Sequence, residues 1–162
     1  MGLTYGTILG IIVVTNGIIR YKSGMILRGD QMLNYVYWGI FTIMVFFAVF
    51  RFNKVDALAF EFRNTIKIGL CMGLVSGIMY TIYIVILNNY IDTELSEKVV
   101  QLNEKALIVD NPKLTEEEVT NSWNSMKIRT LFRGLIYTLV CMFFGVIHSV
   151  VSTIFIKRIK RT

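Results

Sequence analysis

His148 is the only histidine in the chain, and it lies in a long apolar stretch near the C-terminal end. An imidazole has an ordinary pKa of about 6.5, so inside a membrane it can relay protons or switch charge near neutrality. A relay also needs a partner carboxylate, and none of the apolar stretches contains Asp or Glu. The favoured reading is therefore a neutral ring that bridges helices by a hydrogen bond. Arg133 is the other ionisable side chain of that stretch and stands close enough to its edge to snorkel into the headgroups. Cys71 and Cys141 both fall in apolar segments, where a thiol behaves as a small hydrophobe. There is no phosphate-binding glycine loop, no metal-ligand spacing and no serine elbow. A single histidine cannot serve a general acid and base pair, so a non-catalytic chain without cofactor or metal is expected.

Small residues carry the stronger pattern. Gly69, Gly73 and Gly77 are spaced four apart, as are Gly2, Gly6 and Gly10, while Gly134, Thr138, Cys141, Gly145, His148 and Ser152 recur at three- and four-residue intervals. Each set falls on one face of a helix. Helices in lipid gain little from hydrophobicity against one another and associate through dispersion contacts and interhelical hydrogen bonds, which favours small residues where backbones meet. Gly6, Gly10, Gly69, Gly73, Gly77, Gly134, Gly145, His148 and Ser152 are accordingly the candidate packing and interaction residues. The glycines opening the first and third apolar stretches would also fit a two-fold internal repeat.

The elements that must position these residues follow from composition. Of 162 residues 54% are apolar and 17% charged, and the charged ones avoid four stretches at about 4–19, 32–50, 68–87 and 131–156. A helix needs roughly 20 apolar residues to cross the hydrocarbon core, so the chain is expected to be an all-α, single-domain bundle of four transmembrane helices. The second stretch has Tyr35, Tyr37 and Trp38 at its start like an interfacial belt, and its low glycine content suits a lipid-facing helix. The mixed segment from Arg51 to Lys67 would fit an interfacial helix or a re-entry turn.

Residues 88–130 form the one long connection. Leu95, Val99, Leu102 and Ala106 keep a helical beat, Pro112 forbids continuation, and Thr115 with Glu118 has capping-box spacing flanked by Leu114 and Val119. This predicts a helical hairpin, with the third span continuing to about Ile108 and a returning arm running into the fourth. Each arm of ~20 residues would reach about 30 Å, and Trp123 and Arg129 would mark the headgroups.

The net charge of +6 forms no stripe interleaved with exposed aromatics, so nucleic acid is not an expected partner. The basic residues report orientation instead. Arg51, Lys54, Arg63, Lys67, Lys157, Arg158, Lys160 and Arg161 flank the spans on one side, whereas the long connection mixes its basic residues with acidic ones. The positive-inside rule then puts both termini in the cytoplasm and the hairpin in the periplasm. The first segment lacks leading basic residues and a small-residue cleavage site, so it is expected to stay as a span.

With the glycine-rich opening helix Tyr5-Gly6-Thr7-Ile8-Leu9-Gly10, the aromatic second helix, the entry Phe62-Arg63-Asn64-Thr65-Ile66-Lys67-Ile68-Gly69, the charged helical insert and the short basic tail, nearly the whole chain resembles a bacterial family. That family is domain of unknown function 4199, small membrane proteins of Bacteroidota. The resemblance implies an inner-membrane location and transfers no activity and no site residues. Two functions are compatible with the residues. One is an accessory subunit that docks into a larger membrane complex, or a homo-oligomer, through its glycine faces and hairpin. The other is a small oligomeric transporter or channel, whose polar path would draw on Thr15, Asn16, Thr138, His148 and Ser152.

Overall fold

The structure, a computed structural model, describes residues 1–56, 60–95, 97–99, 101–102 and 116–159. Helix α1 (Gly2–Lys22) is followed by the four-residue α2 (Met25–Arg28), then α3 (Met32–Val55), α4 (Phe62–Ile86) and α5 (Glu116–Ile159). No strand occurs among the described residues. Among the described residues four helices are long and apolar enough to cross a membrane, at mean hydropathy 1.7 to 2.3. Only 28 to 33% of each apolar window is buried inside the bundle. The rest is bulky apolar surface, such as Leu135, Leu139, Phe143 and Val151 on α5. Water would not tolerate so continuous an apolar surface on a monomer, and lipid covers it without cost. The chain is a multi-pass membrane protein.

Helix α4 occupies the middle. Its neighbour α1 runs parallel to it, since Gly2 faces Ile68 and Cys71, Gly6 faces Met72 and Val75, and Gly10 faces Met79. Helix α5 runs antiparallel, because Gly69 meets Gly145, Gly73 meets Cys141, Gly77 meets Thr138 and Gly134 meets Thr81. The end of α5 therefore returns to the start of α4, where the Lys157 ammonium lies 4.5 Å from the Phe62 ring centroid and 5.9 Å from that of Phe60. Gly2 and Lys157 consequently share one end of the bundle.

Helix α3 joins the bundle through large side chains. Tyr37, Phe41, Val45, Ala48 and Val49 are buried against Leu9, Val13, Met72 and Ile156. Spacings of three and four residues put this row on one helical face, while Ile43, Phe47 and Val55 on the other sides remain exposed. The low-glycine helix is thus lipid-facing on one side only and supplies much of the core on the other. Rings reinforce it at the α5 contact, with Trp38 and Phe144 centroids 4.9 Å apart.

Connections differ from expectation in two places, the first connection and the end of the third span. Of the two readings of the mixed segment, its described residues hold no separate interfacial helix: α3 continues through Val55, Glu61 is extended, and α4 starts at Phe62. Residues 57–59 lie outside the described ones. The first connection is shorter than expected because α1 runs on to Lys22 and α2 turns the chain between Gly24 (φ 71°) and Gly29 (φ 69°). Those left-handed φ values would strain any side chain. The third span does not run as one helix toward Ile108. It passes into a π-helical turn at Leu87–Ile91 and breaks at Asp92, whose amide bonds the Leu87 carbonyl five residues back at 2.8 Å. The turn of the expected hairpin, with Pro112, Thr115 and Ala106, lies outside the described residues, as do the side chains of Trp123, Arg129 and Arg133. Helix α5 itself is continuous from Glu116 through the fourth span.

Candidate functional site

The closest helix approach in the bundle is the α4–α5 seam. A Cβ placed on Gly73 would stand 2.6 Å from the Cys141 carbonyl carbon and 2.7 Å from the Met142 Cα, so the two backbones touch there. Gly69 and Gly145 face each other's backbone in the same way, and a Cβ on Gly77 would lie 2.6 Å from the Thr138 Cα. The α1–α4 seam is built differently. Gly6 lies over the Met72 backbone, but Gly10 faces the side chain of Met79, so one smooth glycine row receives bulky knobs from α4. Both glycine rows are taken up by contacts within the chain.

Hydroxyl pairs close both ends of the α4–α5 seam. Thr153 Oγ1 donates to Thr65 Oγ1 at 2.8 Å, and Thr81 and Thr138 hydroxyls are 3.1 Å apart. Thr65, Gly69, Gly73, Gly77 and Thr81 follow one another at intervals of four, so the glycine row and its two polar ends form a single stripe on α4. Thr65, Thr81 and Thr153 were not among the expected packing residues, although that four-residue beat was available in the sequence. Ser149 was missed as well; its hydroxyl lies against Gly69, buried and without a partner.

His148 sits where α5 meets α3. Its Nδ1 is 2.7 Å from the Phe144 carbonyl and its Nε2 is 3.1 Å from Thr42 Oγ1. A carbonyl only accepts, so Nδ1 carries a proton, while the single proton of the Thr42 hydroxyl bonds the Trp38 carbonyl at 2.9 Å and its oxygen lies within hydrogen-bond reach of Nε2. The ring stacks on Phe144, with centroids 5.9 Å apart. Ser152 is buried, and its hydroxyl donates 2.6 Å back to the His148 carbonyl.

Several hydroxyls of the spans are satisfied within their own helix, whereas the Tyr37 and Tyr83 hydroxyls and the Asn16 side-chain oxygen are buried without a partner. Thr7, Thr15, Ser76 and Thr81 each bond the carbonyl four residues earlier. In hydrocarbon an unsatisfied hydroxyl costs several kcal/mol, about as much as any unpaired backbone group, and these bonds satisfy each within its own helix. Thr15 is exposed on α1, while Thr138 and Ser152 are buried in the α5 contacts. The expected polar residues are not brought together into one path. The expected repeat fares similarly, since the glycines of α1 face α4 whereas those of α4 face its successor α5. The two cysteines are free, Cys141 buried in the α4–α5 seam and Cys71 half-buried beside Gly2.

No curated protein and no solved structure matches the chain. The family model described as Protein of unknown function (DUF4199) matches residues 4–158, from the first turn of α1 to the last turn of α5. The match spans all four membrane helices and the connection between α4 and α5, and on that ground the chain belongs to the DUF4199 family.

Proposed function

We propose that this chain is a non-catalytic protein of the bacterial inner membrane and serves as an accessory subunit of a larger membrane assembly, both termini in the cytoplasm and the long connection in the periplasm. The observation that carries the proposal is the length of α5. Its 44 residues extend about 66 Å, more than twice the ~30 Å of the hydrocarbon core. Antiparallel neighbours such as α4 and α5 can be joined by roughly two to eight residues, so a stiff extension of this size exceeds what a connection requires. It offers partners a charged, extramembrane arm rigidly joined to a span. The glycine rows, being used between the chain's own helices, leave the arm as the surface for docking.

The carrier or channel reading rests on a polar route, and the hydroxyls that would line it are tied to their own helices, so the geometry favours the accessory reading. The test is co-purification in native-membrane nanodiscs of the wild-type chain and of a variant with residues 96–128 replaced by a short glycine-serine linker. Specific partners should accompany the wild type and be lost from the variant, while circular dichroism shows the variant's spans still helical. A wild-type chain that is recovered alone, or partners retained by the variant, would reject the proposal.

A further inference from the structure

Where α1 and α4 end and α3 begins, the chain encloses a partly open cavity of about 200 Å³, lined by Arg20, Tyr83, Ile84, Leu87, Leu95 and Leu102 among others. Arg20 brings a full charge to a wall that is aliphatic on one side, at Ile84, Leu87 and Leu95, and polar elsewhere, at Gln31, Tyr83 and Asn88. Its guanidinium donates to two neutral acceptors, the Asn34 side-chain oxygen at 2.7 Å and the Asp30 carbonyl at 3.0 Å, and its Nε–H is buried without a partner. A guanidinium has five donors, so this leaves it under-used. Among the described residues no carboxylate lies within salt-bridge distance of it. Two acids beside this part of the chain are already engaged: Asp30 accepts from the Met32 amide at 2.8 Å, and Asp92 accepts from the hydroxyl of Tyr21, the residue after Arg20, at 3.1 Å and pairs with Lys98. The cavity lies at the ends of spans, the depth at which lipid headgroups sit.

We propose that this cavity binds the anionic head of a single-chain amphiphile, a phosphate or a carboxylate, with Arg20 as its counter-ion and the aliphatic wall receiving the first carbons of the tail. The planar fork of arginine matches both head types. The volume is below the roughly 300–1,000 Å³ of pockets that hold drug-sized ligands, which suits one head and the start of one chain. The π-helical turn at Leu87–Ile91 contributes Leu87 to the wall, and such turns recur where a helix is reshaped around a ligand. This inference is independent of whether the chain joins a larger assembly.

The test uses the purified full-length chain in dodecyl maltoside, titrated separately with oleate, 1-oleoyl lysophosphatidate, oleyl alcohol and inorganic phosphate, with the thermal unfolding midpoint as readout. Oleate or lysophosphatidate should raise the midpoint saturably, and whichever of them acts identifies the head. Oleyl alcohol and inorganic phosphate at the same concentrations should leave it unchanged. Arg20→Gln should weaken the response about tenfold or more. Leu27→Trp, which fills the cavity from an exposed position and retains Arg20, should do the same. An equal response to oleyl alcohol, an equal response to phosphate, the absence of any saturable response, or a response undiminished in both variants would each overturn the proposal.

Discussion

Replacing Gly73 by alanine tests the seam that organises the bundle. The added carbon would stand 2.6 Å from the Cys141 carbonyl carbon, and all its nearest neighbours are backbone atoms that no rotamer change can move. Restoring ordinary contact at about 3.4 Å requires α4 and α5 to separate by at least about 0.8 Å, because the Cys141 carbonyl oxygen lies nearer still. A gap of that size forfeits a quarter to a half of each affected contact, and contacts are worth about 0.1–0.2 kcal/mol each. Over a few tens of atom pairs along the seam the loss is about 1–3 kcal/mol, in line with the usual cost of overpacking. Alanine also raises helix propensity over glycine by up to about 1 kcal/mol, in the opposite direction. Gly39 on α3 supplies the control, because nothing lies within 4 Å of its added carbon and only the propensity gain applies. Unfolding in mixed micelles, followed by circular dichroism as the denaturing detergent fraction rises, should find Gly39→Ala unchanged or stabilised. Gly73→Ala should be about 2 kcal/mol less stable than that control. Equal stability of the two variants would refute the reasoning that backbone contact at Gly73 sets the helix spacing.

The α1–α4 seam should be more forgiving: Gly10→Ala meets the flexible end of Met79, so it should cost less than about 1 kcal/mol in the same assay, and a loss equal to that of Gly73→Ala would contradict the knob-on-glycine description. A double-mutant cycle on Thr65→Ala and Thr153→Ala should return a coupling of about 0.6 kcal/mol, typical of interhelical hydrogen bonds in membranes; zero coupling would mean the pair forms no bond. In a background lacking Cys71 and Cys141, single cysteines at Lys54 and Arg158 should react with an impermeant maleimide from one side of the membrane and one at Glu94 from the other; all three reacting from one side would overturn the antiparallel arrangement of α4 and α5. The hydrogen bond with Glu94 and the field of Asp92 hold Lys98 charged to a higher pH than usual. With its folded-state pKa raised, any ordering it lends is present at neutral pH and is lost only as the pH climbs through that raised value. Amide exchange near Asp92 should therefore keep its protection from neutral to moderately alkaline pH and lose it above, and a loss on acidification from pH 8 to 6 would rule this pair out as the cause.

The spans were legible because each rests on a one-dimensional signal, an unbroken apolar run of sufficient length. The α4–α5 seam was legible for a related reason, since Gly69, Gly73 and Gly77 repeat on a helical beat that only close backbone approach rewards. What the sequence left open was direction. Gly6 and Gly10 are spaced like Gly69 and Gly73, yet Gly6 lies over the Met72 backbone while Gly10 receives the Met79 side chain, because the partner facing them, Met72 to Met79, is on the other side of α4. Nothing local to α1 encodes that choice. The role of α3 was half legible for the same reason: a helix apolar on all sides carries no moment to say which face is inside, and the buried row of Phe41, Val45 and Ala48 emerges only once Leu9 and Met72 are placed against it. The cavity was invisible because Arg20, Tyr83 and Leu95 come from three separate segments.

The distribution of small residues limits how this bundle can meet other membrane proteins. A helix pair in lipid gains from contact in proportion to how closely the backbones approach, and the closest approaches available to this chain are already made between α4 and α5 and between α4 and α1. The surfaces left outward carry Phe143, Leu139, Ile43 and Phe47, large side chains that hold a neighbour at a distance where lipid competes on equal terms. Lateral association through the described spans is therefore weak by construction. A specific and durable partner would have to draw its energy from groups that lipid cannot imitate, among them the cation at Arg20, the charged residues around Asp92 to Lys98 and those of the α5 extension proposed for docking. The Arg20 and Asp92–Lys98 groups lie at the end of the bundle opposite Gly2 and Lys157, the end toward which α5 begins.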